Sequence, residues 1–446
     1  MKKYLLLLLL LLLLPSLLSA TPRLIRHAGG IPNRYIVVLH AHTPPNAVEG
    51  IVESLESSYA VQSAGSFQYS LQGFLAIATE QQVTAMLADP RVEYIEQDSL
   101  GTVGMPSAMQ FTWYGSEYVW HLDRLDDRDW GPPAPGNPYG RDGTYYECPE
   151  GSTVYAYVID TGVWNVHSDL AGRLVKQLDF SADQPDQSQN NPDPPDATNA
   201  CANTNPTRGW HGTAVASVLA GAVSGASNAK VVSLKIAQCN ANGQQPGMSA
   251  GSMIRALDWI NSPRNDFRDS PGVINFSGFF FQFDVNQFPS VVTTLKNTVQ
   301  QTQFPFFTSA DNFSSDSCFF FPNNQAYTRN TPPLEKPDKT VFVVGATATG
   351  LTADDPYDYR FQIGGQIGLD SGSNGGACVS AYAPGVSIYT AKAFGYLTYE
   401  RLSGSSFSSP LGAGLAARYI AASFSTILQL HQAMKSGGLH ERAVER

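Results

Sequence analysis

The chain has 446 residues, 43% of them hydrophobic and 15% charged, and its formal net charge at pH 7 is −10. This composition is that of an ordinary globular protein and excludes a disordered or fibrous chain. The acidic balance argues against a nucleic-acid partner, because no excess of basic residues is present to neutralise phosphates. The length allows two or three domains.

The N-terminus has the pattern of an export signal. A basic start, "MKKY", precedes ten consecutive leucines (Leu5–Leu14), Pro15 and small residues near Ala20. This order is typical of a secretory signal peptide. The alternative is an uncleaved membrane anchor, but Pro15 interrupts an apolar run that is shorter than the roughly 20 residues of a spanning helix. We therefore predict a signal peptide at residues 1–20, a secreted extracellular protein and no membrane contact after cleavage.

The segment 34–98 is predicted to form a small α+β domain. Alternating apolar patterns predict strands, and apolar residues three and four apart predict helices. The strands are Tyr35–His40, Gly73–Thr79 and Val92–Asp98, and the helices are Ala47–Ala60 and Glu80–Pro90. The order β-α-β-α-β indicates a ferredoxin-like sandwich with its helices on one face of a sheet.

The rest of the chain is predicted to be a second, larger domain, residues 107–446, after a boundary at residues 99–106. From Thr153 onward, nearly continuous apolar strands alternate with helices of small residues. This pattern is typical of a parallel sheet covered on both faces. Two segments rich in Pro, Asn and Asp, residues 183–209 and 314–339, are predicted to be exposed loops.

Three side chains of catalytic type stand at the ends of predicted elements. Asp160 ends the apolar strand "VYAYVID", at the carboxyl edge where parallel sheets carry their sites. His211 and Ser406 each stand at the start of a predicted helix. At Ser406 a nearby backbone N–H group and the positive end of the helix dipole favour developing negative charge. Alone, each is better explained as a turn or capping residue. Together, in the chain order Asp, His, Ser, they predict an orienting acid (Asp160), a base (His211) and a nucleophile (Ser406).

These motifs identify a resemblance to the subtilisin-like serine peptidases, in particular the proteinase K subgroup. The Asp-Thr-Gly, His-Gly-Thr and Gly-Ser-Ser-x-x-x-Pro motifs of that family match Asp160–Gly162, His211–Thr213 and Gly404–Pro410. The resemblance covers roughly residues 113 to 422, and the segment 34–98 resembles the family's inhibitory propeptide. It implies a three-layer α/β catalytic domain.

The resemblance also implies a function. The protein would be a secreted serine endopeptidase that acts on proteins or peptides, made as a zymogen and cut between residues 98 and 107. Its own propeptide would inhibit it in cis, and it would be a monomer. Ser406 would attack the peptide carbonyl, His211 would transfer the proton and Asp160 would orient His211. Asn312 would donate to the oxyanion, and Ser277 and Gly278 would line the substrate cleft.

The five cysteines fit an oxidising compartment and allow two disulfides and one free thiol. Spacing alone leaves their pairing open. The resemblance favours Cys201 with Cys239 and Cys318 with Cys378, which leaves Cys148 unpaired.

Among several departures of the chain from the family pattern, two concern the expected cleft. Asp311 replaces a glycine beside Asn312, and Phe279–Phe281 replace small residues next to the cleft. These departures keep two alternatives open: a catalytically impaired homologue that acts as a binding protein, and an inhibitor with a vestigial partner domain. The chemistry needs no metal. The family often binds structural calcium, for which the acidic segment Ala353–Tyr359 is the candidate, a solvated turn being the alternative.

Overall fold

The computed structural model describes residues 23–27, 30–103, 119–126, 145, 153–181, 211–239, 246–281, 288–326, 341–349, 358–360, 372–393 and 395–421. Five features predicted from the sequence lie wholly or mostly outside these ranges: the signal peptide, the loop 183–209, Cys148, Cys201 and the acidic segment 353–359. None of the helices described is long and apolar enough to cross a membrane.

Residues 23–103, called here the pro-region, form the predicted α+β unit. Its elements are β1 (Arg23–Ile25), β2 (Gly30–Leu39), α1 (Pro45–Tyr59), β3 (Gln62–Phe67), β4 (Gly73–Ile77), α2 (Glu80–Met86) and β5 (Val92–Val103). The strand order is β5-β2-β4-β3, with β1 parallel to β5. The helix α1 buries Val48, Val52 and Leu55 against the sheet.

The strand β3 was not predicted, so the predicted order β-α-β-α-β was wrong by one strand. Its sequence, "QSAGSF", contains polar residues and a glycine, which have little preference for strands. Pairing with β4 stabilises it despite that composition.

The larger domain alternates strands and helices as predicted. Its elements are α3 (Trp120–Asp126), β6 (Tyr155–Asp160), β7 (Leu174–Asp179), α4 (His211–Ala220), β8 (Lys230–Lys235), β9 (Ala237–Cys239), β10 (Pro246–Ser249), α5 (Ala250–Asn261), β11 (Gly272–Phe276), β12 (Gly278–Phe281), α6 (Pro289–Thr302), β13 (Phe306–Ser309), β14 (Phe320–Phe321), β15 (Val341–Thr349), β16 (Asp358–Arg360), β17 (Ala381–Pro384), β18 (Ile388–Ala391), β19 (Tyr399–Leu402) and α7 (Ser405–Ala421).

A parallel sheet lies at the centre of this domain, in the order β15-β13-β11-β6-β8-β7. Strand β17 extends it in parallel beside β15, and β16 is antiparallel to β15. Alternate strand residues face opposite layers. Tyr157 and Ile159 pack with α5 and α6, whereas Ala156 and Val158 pack with α4 and α7. This three-layer arrangement confirms the predicted fold class.

The strand β5 is longer than the predicted strand Val92–Asp98. It runs five residues past Asp98, and its end, Leu100–Val103, pairs with strands of the larger domain. The predicted strand ended at Asp98 because the residues that follow are mostly small and polar, with a weak preference for strands. Backbone hydrogen bonds to two flanking strands outweigh that weak preference.

The predicted exposed loop 314–339 is also partly wrong. Its described half, residues 314–326, contains β14 and short 3₁₀ turns at Ser317–Phe319 and Asn323–Gln325. Phe320 and Phe321 are buried, because β14 pairs with β12 and brings their rings into the core.

Candidate active site

The predicted catalytic residues lie on elements that come together at the carboxyl edge of the parallel sheet. Asp160 is the last residue of β6, and His211 is the first residue of α4. Ser406 lies in the first turn of α7, and Asn312 follows β13. Helix α7 packs against α4 and crosses β11, β13 and β15. The topology therefore gathers residues that are far apart in the sequence.

The Asp160 carboxylate accepts a hydrogen bond from the His211 ring. His211 Nδ1 lies 2.9 Å from each carboxylate oxygen, and both side chains are buried. Asp160 Oδ1 also accepts from Thr161 N, at 2.7 Å. These contacts place the Nδ1 proton toward Asp160 and leave Nε2 to face other groups.

Two threonines join the Asp and His motifs. Gly212 N donates to Thr161 Oγ1, and Trp164 N donates to Thr213 Oγ1, each at 2.9 Å. A Cβ atom on Gly212 would lie 2.3 Å from the Gly162 carbonyl oxygen, so glycine is required after the histidine. The two motifs thus fix each other's position and hold the histidine ring against the carboxylate.

Two of the buried side-chain atoms that lack hydrogen-bond partners among the described residues belong to predicted catalytic residues. They are His211 Nε2 and Ser406 Oγ, and both are buried. Ser406 is on the helix whose Phe407 ring lies 5.9 Å from the His211 ring, measured between centroids. A buried hydroxyl and a buried imidazole nitrogen cost free energy when unpaired, and a catalytic role is one explanation for leaving them so.

Strand β11 holds the turn that carries Ser406. Ser277 Oγ donates to the Ser406 carbonyl oxygen at 2.9 Å and accepts from Asn275 Nδ2 at 3.1 Å. Ser409 Oγ donates to Asn275 Oδ1 at 2.7 Å. The Ser277 side chain therefore supports the helix start, whereas the backbone of Gly278 lines the cleft. The sequence analysis gave Asn275 no role; its signal was a polar residue within an otherwise apolar buried strand.

Asn312 is oriented by the residue before Ser406. Its Oδ1 accepts from Ser405 N at 2.9 Å and from Ser405 Oγ at 3.1 Å. Because a backbone N–H can only donate, the atom facing it is the oxygen, and Nδ2 is left as a donor. Gly404, with φ of 145°, allows the chain to pass this amide, and a Cβ there would lie 3.2 Å from Nδ2.

Asp311, the first departure from the family pattern, is buried with a left-handed φ of 74°. The left-handed backbone explains why glycine is otherwise suited to this position. Its carboxyl oxygens accept from Ser309 Oγ at 3.2 Å and from Asn323 Nδ2 at 3.1 Å. Burial raises the pKa of Asp311 well above its usual range, against the opposing effect of these two bonds. The site therefore favours the neutral acid.

Phe279 and Phe280, two residues of the second departure, belong to an aromatic cluster beside the cleft. The Phe279 ring meets the Phe313 and Phe320 rings edge to face, with centroids 5.3 and 5.4 Å apart. Phe280 packs with Phe288 and Phe321. These rings fill space that small residues would leave open.

The end of the pro-region lies in the cleft as a central antiparallel strand. On one side, Leu100–Thr102 pairs with residues 247–249 of β10. On the other, Thr102 and Val103 pair with Phe279 and Gly278 of β12. A polypeptide bound in this way uses its backbone for affinity, whatever its side chains.

The described cysteines and acidic groups add little to the site. Cys318 and Cys378 form a disulfide with Cα atoms 5.2 Å apart, as the resemblance implied. Cys239 ends β9, but its proposed partner Cys201 lies outside the described residues. No group of three or more His, Cys, Asp or Glu side chains in the described ranges is placed to hold a metal ion.

Comparisons with known proteins match both units. A peptidase inhibitor I9 model matches residues 34–102, and a subtilase family model matches residues 151–434. The alkaline serine exoprotease A of Vibrio alginolyticus is 29% identical over 418 residues, which are 91% of this chain and 64% of that protein. The extracellular serine proteinase of Thermus sp. (strain Rt41A) is 27% identical over 410 residues, 87% of this chain and 80% of that protein.

A solved structure gives the same picture at the level of the fold. Fervidolysin from Fervidobacterium pennivorans, described as a keratinolytic enzyme related to subtilisin, superposes with a TM-score of 0.56 at 15% identity. The match covers 91% of this chain and 58% of that one. At this identity the likeness shows the fold alone.

Proposed function

The chain belongs to the subtilase family, and we propose that it is a secreted serine endopeptidase made as a zymogen with its inhibitor attached. The observation that carries the proposal is the set of contacts around His211. Its Nδ1 is bound to Asp160, and its Nε2 and Ser406 Oγ are both buried and make no hydrogen bond to each other or to the other described residues. A peptide carbonyl entering beside them would meet a nucleophile and its base.

The reaction follows from these roles. Ser406 Oγ bonds to the substrate carbonyl carbon while its proton passes to His211 Nε2, and Asp160 stabilises the resulting imidazolium. The peptide C–N bond then breaks as His211 returns the proton to the leaving amine. Water then attacks the carbonyl carbon of the acyl-enzyme while His211 takes a proton from it. His211 gives that proton to Ser406 Oγ as the ester bond breaks, which releases the carboxyl product and restores Ser406.

The oxyanion needs donors outside this set. We assign Asn312 Nδ2 and the Ser406 backbone N–H, since Ser405 binds the amide oxygen of Asn312 and leaves its N–H₂ group available. Donors fixed before the reaction lose no free energy to reorientation as the charge develops. The impaired-homologue alternative rested on Asp311 and the phenylalanines. It gains no support, because burial favours the neutral form of Asp311 and the cleft still pairs with a polypeptide strand.

The pro-region supports a zymogen in two places. Its tail occupies the strand position that a substrate would take in the cleft. Away from the cleft, the Asp258 carboxylate of α5 accepts backbone N–H groups of the pro-region, from Gln68 at 3.0 Å and Tyr69 at 2.7 Å. The pro-region would therefore bind as an inhibitor in cis before and after it is cut.

Export would follow from the predicted signal peptide at residues 1–20, with the domain boundary and the cut between residues 98 and 107. A structural calcium ion, the Cys201–Cys239 disulfide and the monomeric state stay predictions. Export is tested by expressing the whole chain and comparing medium with cells; retention of residues 1–20 on the cell-bound protein would contradict it.

The activity is tested by pairing two serine variants of the same helix. Ser406→Ala should abolish cleavage of an unfolded protein substrate and labelling by a phosphonofluoridate, which modifies activated serines. Ser408→Ala is the matched control, since Ser408 Oγ already bonds to the Ala383 and Pro384 carbonyl oxygens. Equal cleavage by wild type and Ser406→Ala would overturn the assignment, as would a label mapped to another serine.

A further inference from the structure

Gly101 is a buried residue of the pro-region tail, and the cleft leaves no space beside it. It pairs with Met248 of β10. A Cβ atom built on Gly101 would lie 2.5 Å from Met248 Cε and 2.6 Å from Cδ1 and Cε1 of the Phe280 ring. Non-bonded carbon atoms sit about 3.5–4.0 Å apart at contact. Even a methyl group therefore collides with both walls.

The Phe280 ring is the firmer wall. It is completely buried, and its centroid lies 5.3 Å from that of Phe288 and 6.1 Å from that of Phe321. Its backbone also pairs with Phe321 in β14. A ring held by packed neighbours cannot swing aside without displacing them. Met248 is also buried, but its flexible end gives way more readily.

Space, and not backbone conformation, excludes a side chain at this position. The φ angle of Gly101 lies outside the left-handed region, so any residue could adopt its conformation. The preceding residue behaves differently: Leu100 is 61% exposed. The cleft is thus closed beside Gly101 of the bound strand and open beside the residue before it, Leu100.

We propose that Phe280 and Met248 are specificity-determining residues that restrict the substrate residue opposite Met248 to glycine. The proposal rests on the proposed function, because it requires substrates to enter along the strand now taken by the tail. The substrates are therefore polypeptides with a glycine at this point, whatever the side chain just before it. The tail itself, Ser99–Val103, carries such a sequence.

The first test uses the processed enzyme and quenched fluorescent peptides Ser-Leu-Xaa-Thr-Val-Gly-Met-Pro, with mass spectrometry to confirm that one bond is cut throughout. Changing Xaa from Gly to Ala should lower kcat/KM at least about tenfold, and to Leu at least about a hundredfold, because overpacking displaces a fixed core ring. Replacing the preceding Leu by Ala, the matched control, should change kcat/KM less than about threefold. Phe280→Ala should cleave the Leu peptide within about threefold of the Gly peptide. Equal kcat/KM of the wild-type enzyme for the Gly and the Leu peptides would overturn the proposal.

A second test needs no catalysis and so separates this proposal from the proposed function. In the uncut Ser406→Ala chain, Gly101→Leu should accelerate amide hydrogen exchange of residues 99–103 at least about tenfold. Adding Phe280→Ala to the Gly101→Leu chain should restore slow exchange. Leu100→Ala alone, the control, should leave the exchange of residues 99–103 as slow as in the parent chain. If no peptide is cut in the first test, the proposed function fails, and this exchange decides the subsite by itself. Unchanged exchange in Gly101→Leu would contradict the subsite.

Discussion

The Nδ1 atom of His211 lies 2.9 Å from both carboxylate oxygens of Asp160, in a site where neither side chain is exposed to solvent. The arrangement fixes which ring nitrogen carries the proton before any substrate arrives. It also provides a negative charge beside the ring when the ring becomes positive. Both effects depend on the carboxylate and not on the shape of the side chain.

Asp160→Asn should therefore lower kcat by about 10⁴ with little change in the folded structure, since an amide of the same shape can present its N–H₂ group to Nδ1 and impose the wrong tautomer. Steady-state kinetics on a peptide substrate measures the loss, and circular dichroism checks the fold. Asp269→Asn, on the surface, is the control. A loss below tenfold would mean that Asp160 does not orient the base.

Asn312→Ala should lower kcat by about 10²–10³ and leave KM nearly unchanged, because a donor to the oxyanion acts in the transition state. Asn297→Ala is a matched control, since that amide donates to the Ser70 carbonyl oxygen of the pro-region. The two variants are compared after processing, when the pro-region has been removed. If kcat of the Asn312 variant stays within threefold of wild type, another donor holds the oxyanion.

Asp311 should stay uncharged to a higher pH than an exposed carboxyl group, because burial raises its pKa well above the usual range. A raised pKa means that the charge appears only as pH rises through the new value, and that charge would then oppose the oxyanion. We expect Asp311→Asn to match wild-type kcat at pH 7 and to keep activity at alkaline pH where wild type loses it. A more than tenfold gain at pH 7 from Asp311→Asn would show a carboxylate there.

The pro-region should dissociate more readily as pH rises through about 6. In the complex, desolvation raises the pKa of Asp258 to about 6, despite the backbone hydrogen bonds from the pro-region that lower it. Once the pro-region leaves, Asp258 regains solvent and its pKa falls, so the complex holds the proton more tightly than the separated parts. Affinity is thus greatest at acidic pH and falls roughly tenfold between pH 5 and 7.

Dissociation of the cut complex across pH 5–8, followed by size-exclusion chromatography, measures this dependence. Asp258→Asn should reduce the slope. Part of the pH dependence of dissociation should remain in this variant, because burial also raises the pKa of Asp98. The Asp98 carboxyl group accepts a hydrogen bond from Gly251 N of the larger domain. Affinity that rises with pH in the wild type would contradict the sign.

Much of the candidate site could be proposed from the sequence because its motifs are local. Asp160, His211 and Ser406 each stand where a strand ends or a helix begins, and such positions can be read from the apolar pattern around them. Asn312 could be found only through the family resemblance. Asn275 and Ser277 were harder, because their role depends on α7 crossing β11, a contact between segments far apart in the sequence.

The errors have a common physical cause. Strand β3 and the end of β5 are made of residues with weak strand preference, and pairing with other strands determines their conformation. Phe320 and Phe321 were placed in a loop because prolines and asparagines surround them, yet they pair with β12. The end of β5 and β14 pair with strands far away along the chain, whereas β3 pairs with its neighbour β4; in each case the pairing is not encoded in the composition of the segment itself.

The central claim is that Ser406 is the nucleophile of a self-processing zymogen, and intact mass over time tests it most directly. Residues 21–446 are expressed beside the Ser406→Ala variant, and both are checked for folding by circular dichroism. We predict that the first chain cuts itself between residues 98 and 107 while the variant keeps its full mass. If the folded first chain also stays whole, or the variant is cut at the same bond, the claim is wrong.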